Sequence, residues 1–139
     1  MAGFCTVDRR DELGRLPAPV ERDLTPCYER GPNAAIAANL AIGSAVVIAV
    51  PDASRLRDFT GIAAIARATR ARDLPHTVID PRTDRDQVIS WIGTIPATSG
   101  SRRIFVTGPR GTRWPEGERL SWQLIACLGD LAGSRGALA

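Results

Sequence analysis

The segment Ala45-Val46-Val47-Ile48-Ala49-Val50 constrains the fold more than any other part of the chain. It holds no polar residue, most of its side chains are β-branched, and it stops at the turn signal Pro51-Asp52. A strand with one wet face alternates apolar and polar residues. An unbroken apolar run of this length instead fits a strand covered on both faces, as in a parallel sheet between two helical layers. Two weaker runs repeat the pattern: His76-Thr77-Val78-Ile79 stops at Asp80-Pro81, and Arg103-Ile104-Phe105-Val106-Thr107 stops at Gly108-Pro109.

Helical patterns separate these runs. The spacing predicts helices over 33–42, 60–72, 86–95 and 116–131. The second sets Ile62, Ile65, Ala66 and Thr69 on one face with Arg67 and Arg70 opposite. The last places Leu120, Leu124, Cys127, Leu128 and Leu131 on one stripe, with Glu116 and Glu118 near its positive end. Trp122 and Ile125 lie off that stripe, which points to a second buried face against a neighbouring helix or a partner subunit. Short strand–helix alternation of this kind requires right-handed crossovers. The expected fold is therefore α/β, a Rossmann-like three-layer domain with a small parallel sheet and helices on both faces. Residues 1–31 do not share the rhythm and read as a loop-rich lead with a short strand within Gly3–Val7. The α/β domain is expected over 32–133 and a flexible tail over 134–139.

At 139 residues with 44% apolar and 24% charged residues, the chain has the size and balance of one globular domain. Its longest apolar run is far shorter than the roughly 20 residues of a membrane span. The first residues carry no basic and apolar leader, so a cytoplasmic location is expected. Three cysteines, Cys5, Cys27 and Cys127, form no C-x-x-C pair, and His76 is the single histidine, which argues for reduced thiols and against a zinc site. All 18 basic residues are arginine, a bias read as codon usage, and the net charge is only +3. The arginines are interleaved with carboxylates, unlike the basic stripe of proteins that track phosphate backbones, so nucleic acid is not an expected partner.

In an open parallel sheet, ligands bind beyond the carboxyl ends of the strands. Three segments fall there. The first is Pro51 to Gly61, where Asp52 follows the strand and Thr60-Gly61 opens a helix; the backbone N–H groups at that helix start can hold a phosphate, unless Thr60 or Asp58 is simply the helix cap. In the second, Asp80 can accept a ribose hydroxyl or merely open an Asp-Pro turn. The third, Thr107-Gly108-Pro109-Arg110-Gly111-Thr112-Arg113, has glycines that permit close approach and arginines whose forks match phosphate, or it is only a connecting loop. No Ser-His-Asp order or G-x-S-x-G elbow exists, although Asp52 or Asp58 can serve as a base.

Taken together, these segments resemble the bacterial family of putative molybdenum carrier proteins, a branch of the Rossmann-like superfamily that also contains the "lonely guy" phosphoribohydrolases and the DNA-processing protein DprA. Gly3-Phe4-Cys5-Thr6-Val7-Asp8-Arg9-Arg10-Asp11-Glu12-Leu13-Gly14 is similar to the family's Gly-x-Cys-Pro-x-Gly-Arg-Arg-Ala-Glu-Asp-Gly stretch. Tyr28, Arg30 and Asn33 precede a helix and strand as in the family. Phe59-Thr60-Gly61 stands at the Gly-Gly-Thr helix start, and Gly108-Pro109-Arg110 with Pro115 resembles the family's last strand end. The resemblance implies a nucleotide or other phosphorylated ligand, or one of molybdopterin type, near Thr60-Gly61, with Arg30, Asn33 and Arg110 at matching positions. It covers most of the chain from Gly3 onward. The family's leading Gly-Gly-x-Thr-Gly-x-Asp unit would end before this chain starts, and the Pro-Gly-Gly-x-Gly-Thr-x-x-Glu motif of the phosphoribohydrolases is absent from the sequence. A missing first unit would leave a sheet edge open and favour self-association.

The leading expectation is a binding domain for a nucleotide or phosphorylated small molecule, working as a homo-oligomer, with Arg30, Asn33, Asp52, Thr60, Gly61, Thr107, Gly108 and Arg110 around the ligand. Two alternatives come from other classes. One is a nucleotide N-glycosidase or other hydrolase using Asp52 or Asp58; the other is a non-catalytic module that oligomerises or contacts DNA in the manner of DprA.

Overall fold

The structure is a computed structural model. It describes the backbone of residues 4–5, 10–11, 14–15, 25–26, 32–97, 102–109 and 113–138, with side chains over 34–97, 102–109 and 113–127. The chain divides into two compact units, Met1–Gly43 and Ser44–Ala139.

In the first unit β1 (Phe4–Cys5) pairs in parallel with β4 (Thr25–Pro26), and β2 (Arg10–Asp11) pairs antiparallel with β3 (Gly14–Arg15). Helix α1 (Pro32–Ile42) packs on β1 and so belongs with this unit. The boundary between the two units falls after α1.

The second unit is built on a three-stranded parallel sheet. Its element order is β5 (Ala45–Ala49), α2 (Thr60–Ala71), β6 (His76–Ile79), α3 (Arg85–Thr94), β7 (Ile104–Thr107) and α4 (Glu116–Leu138), with a 3-10 helix over Ala53–Asp58 between β5 and α2. The strand order is β6-β5-β7, so β5 is central. Register pairs Val46 with His76 and with Phe105, and Ile48 with Val78 and with Thr107. Every residue from Ala45 to Val50 is at most 1% exposed. The all-apolar run is thus explained: neighbours flank the strand on both sides and helices cover both faces.

Alternation along β5 separates the two faces. Val47 and Ala49, with Ile79, pack against Val88 and Ile92 of α3, Leu124 of α4, and Trp114. Val46 and Ile48 point the other way, where α2 packs against β5 and buries Ile62, Ile65, Ala66 and Thr69. Thr69 is a polar residue in this layer, and its hydroxyl donates to the Ile65 carbonyl one turn back at 2.8 Å. The result is the Rossmann-like α/β architecture, with helices on both faces of a small parallel sheet.

Helix α4 runs to Leu138 and takes in Gly133 and Gly136. Glycine weakens a helix by about 1 kcal/mol per residue, a cost that does not by itself end one. No described helix is long and apolar enough to cross a membrane.

Candidate functional site

The chain leaves β5 on the α2 side of the sheet and leaves β7 on the α3/α4 side. The direction of the connections therefore reverses between β5 and β7, the topological position at which open α/β sheets take up ligands. Asp52 follows β5 at this end, Thr107 ends β7 and Gly108 follows it.

Gly108 has a packing reason to be glycine. A Cβ there would stand 2.7 Å from the Ala49 carbonyl oxygen. The close approach expected of this residue is thus made to the backbone of the central strand, where a ligand had been expected. Gly61 is the reverse case, since a Cβ on it would meet nothing within 4 Å.

The loops after β5 and β6 are joined by carboxylates. Ala53 donates its backbone N–H to Asp80 Oδ2 at 2.9 Å, and Arg82 donates its own to Asp80 Oδ1 at 2.8 Å. The Asp80 N–H in turn donates to Thr83 Oγ1 at 2.9 Å. Asp80 is only 6% exposed. The Ala53 N–H, opposed by burial and helped by the Arg82 N–H and guanidinium, holds its carboxyl below the usual range. Asp80 therefore opens a turn and tethers a neighbouring loop, which is the structural alternative for this residue.

Asp52 caps the 3-10 helix. Its Oδ1 accepts from the Ser54 N–H at 3.0 Å and the Ser54 hydroxyl at 2.7 Å, and lies 3.1 Å from Arg82 Nη2. The Ser54 bonds, with Arg82 and Arg55 adding attraction, keep this carboxyl below its ordinary value. A lowered carboxyl is a weaker base, which disfavours a proton-abstracting role. Asp58 is engaged with Arg55, whose Nε donates to it at 2.8 Å.

Neither Thr60 nor Asp58 caps α2. The capping position is Phe59, which makes no side-chain cap bond, and the first turn holds no acidic residue. Thr60 and Gly61 are exposed. The other two helices that follow strands of this sheet start differently. Asp84 caps α3 by accepting from the Asp86 N–H at 2.9 Å, and α4 carries Glu116 and Glu118 in its first turn.

Of the expected site residues, Asp52, Thr60, Gly61, Thr107 and Gly108 all lie at the carboxyl-end side of the sheet. Asn33 lies in α1 of the first unit. Arg30 and Arg110 fall outside the described residues. The sequence reading missed the Ala53, Ser54, Arg82 and Thr83 contacts. The short spacings Asp52-x-Ser54 and Asp80-x-x-Thr83 are a signal for the local ones. No cluster of three metal-ligating side chains occurs among the described residues.

These features define a Rossmann-like domain with a polar carboxyl-end rim. A solved structure from Syntrophus aciditrophicus SB, named a putative molybdenum carrier protein, shares the fold with a TM-score of 0.70. The two are 17% identical, over 90% of this chain and 76% of the other. The motif order that resembles the molybdenum carrier family is thus accompanied by that family member's fold. No protein-family model matches the chain, and no curated protein matches it.

Proposed function

We propose that the chain binds a small phosphorylated ligand of the nucleotide class at the carboxyl-end rim of its sheet, with the anion against the first turn of α2. The observation that carries this reading is the contrast among three helix starts. A helix start presents unpaired N–H groups and about half a positive charge. Acidic side chains meet that charge in α3 and α4, whereas α2 has neither a side-chain cap nor an acid in its first turn. Thr60 adds a hydroxyl there, and the open space at Gly61 lets a ligand approach the backbone.

The other positions follow from the family resemblance. Arg110 supplies a forked donor and Thr107 a hydroxyl, both suited to orienting an anion. Asp52, held through Oδ1, offers its second oxygen to a ligand hydroxyl. The name of the structural neighbour adds molybdate as a candidate, since a tetrahedral oxyanion fits the same helix start as phosphate. Binding is favoured over hydrolysis because Asp52 and Asp58 are both engaged by the chain's own donors.

Titration calorimetry of the full chain with adenosine monophosphate, inorganic phosphate and molybdate tests the reading. At least one probe is expected to bind, and Gly61→Asp, which places a carboxylate in the first turn, is expected to weaken it tenfold or more. Absence of binding by all three overturns the proposal, as does binding that Gly61→Asp leaves unchanged.

A further inference from the structure

Arg82 faces two carboxylates at the carboxyl-end rim. Its Nη2 lies 3.1 Å from Asp52 Oδ1 and 3.6 Å from Asp80 Oδ2. Neither acid depends on it. Asp52 Oδ1 already accepts from the Ser54 N–H and hydroxyl, and the two oxygens of Asp80 accept the backbone N–H groups of Ala53 and Arg82. The same ranking appears in what holds the two carboxyls low: Ser54 comes first for Asp52 and the Ala53 N–H first for Asp80, with the Arg82 guanidinium behind both. The guanidinium is the loose member of the group, since the Arg82 side chain is 75% exposed and that of Asp80 only 8%. Ion pairs this open contribute little and weaken with salt, so releasing the guanidinium costs little.

The backbone beneath that side chain is fixed. Thr83 donates its N–H to the Asp80 carbonyl at 3.0 Å, and the Arg82 N–H is held on Asp80 Oδ1. Strand β6 neighbours β5, and from the turn after β6 the guanidinium reaches across to Asp52, where the connection leading through the 3-10 helix to Thr60 begins. We propose that Arg82 is a ligand-binding residue, whose guanidinium leaves Asp52 and Asp80 and closes on the ligand's anion at the start of α2, its fork pairing with two oxyanion oxygens. This rests on the anion-binding reading of that helix start. The exchange leaves no buried group unsatisfied, because both carboxylates keep the donors that hold them without Arg82. Until the exchange, the guanidinium offsets two negative charges that would repel an arriving anion.

Titration calorimetry of the full chain with molybdate and with inorganic phosphate compares the wild type with Arg82→Ala, Arg82→Lys and Arg67→Ala. Arg82→Ala keeps the backbone N–H that Asp80 accepts, so its urea midpoint is expected to match the wild type. Its affinity for the oxyanion is expected to fall roughly tenfold or more, the loss of a charge-assisted pair, and to depend less on salt. Arg82→Lys restores the charge without the fork and is expected to recover part of the affinity. Arg67→Ala removes the same charge from an exposed position about two turns along α2 and is expected to stay within about twofold of the wild type. Wild-type affinity in Arg82→Ala, or a loss no greater than that of Arg67→Ala, overturns the proposal. A wild-type chain that binds neither oxyanion overturns the ligand reading and this inference with it, whereas binding that Gly61→Asp abolishes and Arg82→Ala leaves intact overturns the role of Arg82 alone.

Discussion

The two ends of the three-stranded sheet are held by different means. At the amino-end rim, backbone groups do most of the work: Ser44 N–H donates to the Arg103 carbonyl at 2.7 Å and Val46 N–H to the Pro75 carbonyl at 2.9 Å. Side chains there add His76 Nδ1 with the Leu74 carbonyl at 3.1 Å, Arg102 Nε donating to the Ile95 carbonyl at 2.6 Å, and the Ser44 hydroxyl accepting from the Arg103 N–H at 3.2 Å, none of them a carboxylate. At the carboxyl-end rim, ionised side chains join separate loops, with Asp80 holding Ala53 and Asp52 facing Arg82. Charge follows the same division. Of the carboxylates in residues 44–127, only Asp73 lies on the amino-end side, while Arg70, Arg72, Arg102 and Arg103 stand exposed there. The helices of this unit start at the carboxyl-end rim, and acids stand in the first turns of α3 and α4, where they meet the positive end of the helix. Helix α2 is the exception, because its start alone among α2, α3 and α4 lacks an acid.

Asp80→Ala is expected to cost the carboxyl-end rim more than any other single change. It removes a buried acceptor and leaves the Ala53 and Arg82 N–H groups without it, at about 1–3 kcal/mol for each donor left unsatisfied. Arg103→Ala at the opposite rim is expected within about 0.5 kcal/mol of wild type. Urea unfolding of the pair measures both, and equal losses would dissolve the contrast between the rims.

Next come the two glycines. Gly108→Ala drives a methyl toward the Ala49 carbonyl at 2.7 Å and is expected to destabilise by about 1–3 kcal/mol. Gly61→Ala meets open space in a helix and is expected to stabilise by up to about 1 kcal/mol. The same unfolding experiment decides the sign of each. If Gly61→Ala also weakens ligand binding, the conformational gain and the functional loss separate at one residue.

Acid is a third probe. Asp52 and Asp80 both have carboxyl groups below their ordinary values in the folded chain. A depressed folded pKa means that the unfolded chain binds protons first as pH falls. Their contribution is fully present above the ordinary carboxylate pKa of about 3.9 and is lost as pH drops through the lower folded values. Stability is therefore expected to fall below about pH 4, and Asp80→Asn is expected to flatten that fall. An unchanged pH slope in Asp80→Asn would place the acid sensitivity elsewhere.

How much of this was legible in the sequence depends on how local the cause is. Ala45–Val50 announced the central strand because burial on both faces leaves no polar residue to confuse the period. The bounds of α2 and α3 lie within a residue of the spacing-based expectation, since buried positions repeat strictly along both. The Asp80–Ala53 tether was not legible, because it joins residues 27 apart through tertiary proximity and Asp-Pro alone signals only a turn. The constraint on Gly108 was hidden for the same reason, as it comes from strand β5. At α2, Thr60-Gly61 marked the helix start, but that neither Thr60 nor Asp58 caps it depends on the Phe59 backbone and on the Arg55–Asp58 pair.

The smallest expected effect bears most directly on the exceptional helix. Thr60→Asp puts into the first turn of α2 the kind of charge that Asp86 supplies to α3 and Glu116 and Glu118 supply to α4. Thr60 is exposed, so the change disturbs no packing. The carboxylate then interacts with the helix start, a gain of about 0.3–1 kcal/mol at low ionic strength that shrinks as salt is added. Asp86→Ala is the mirror experiment and is expected to lose a similar amount with the same salt dependence. If Thr60→Asp stabilises the chain while abolishing binding of the anionic probe, the open start of α2 is an unmet charge kept for a ligand. If it stabilises the chain and binding persists, the anion sits elsewhere on the rim and the contrast among helix starts is one of stability alone.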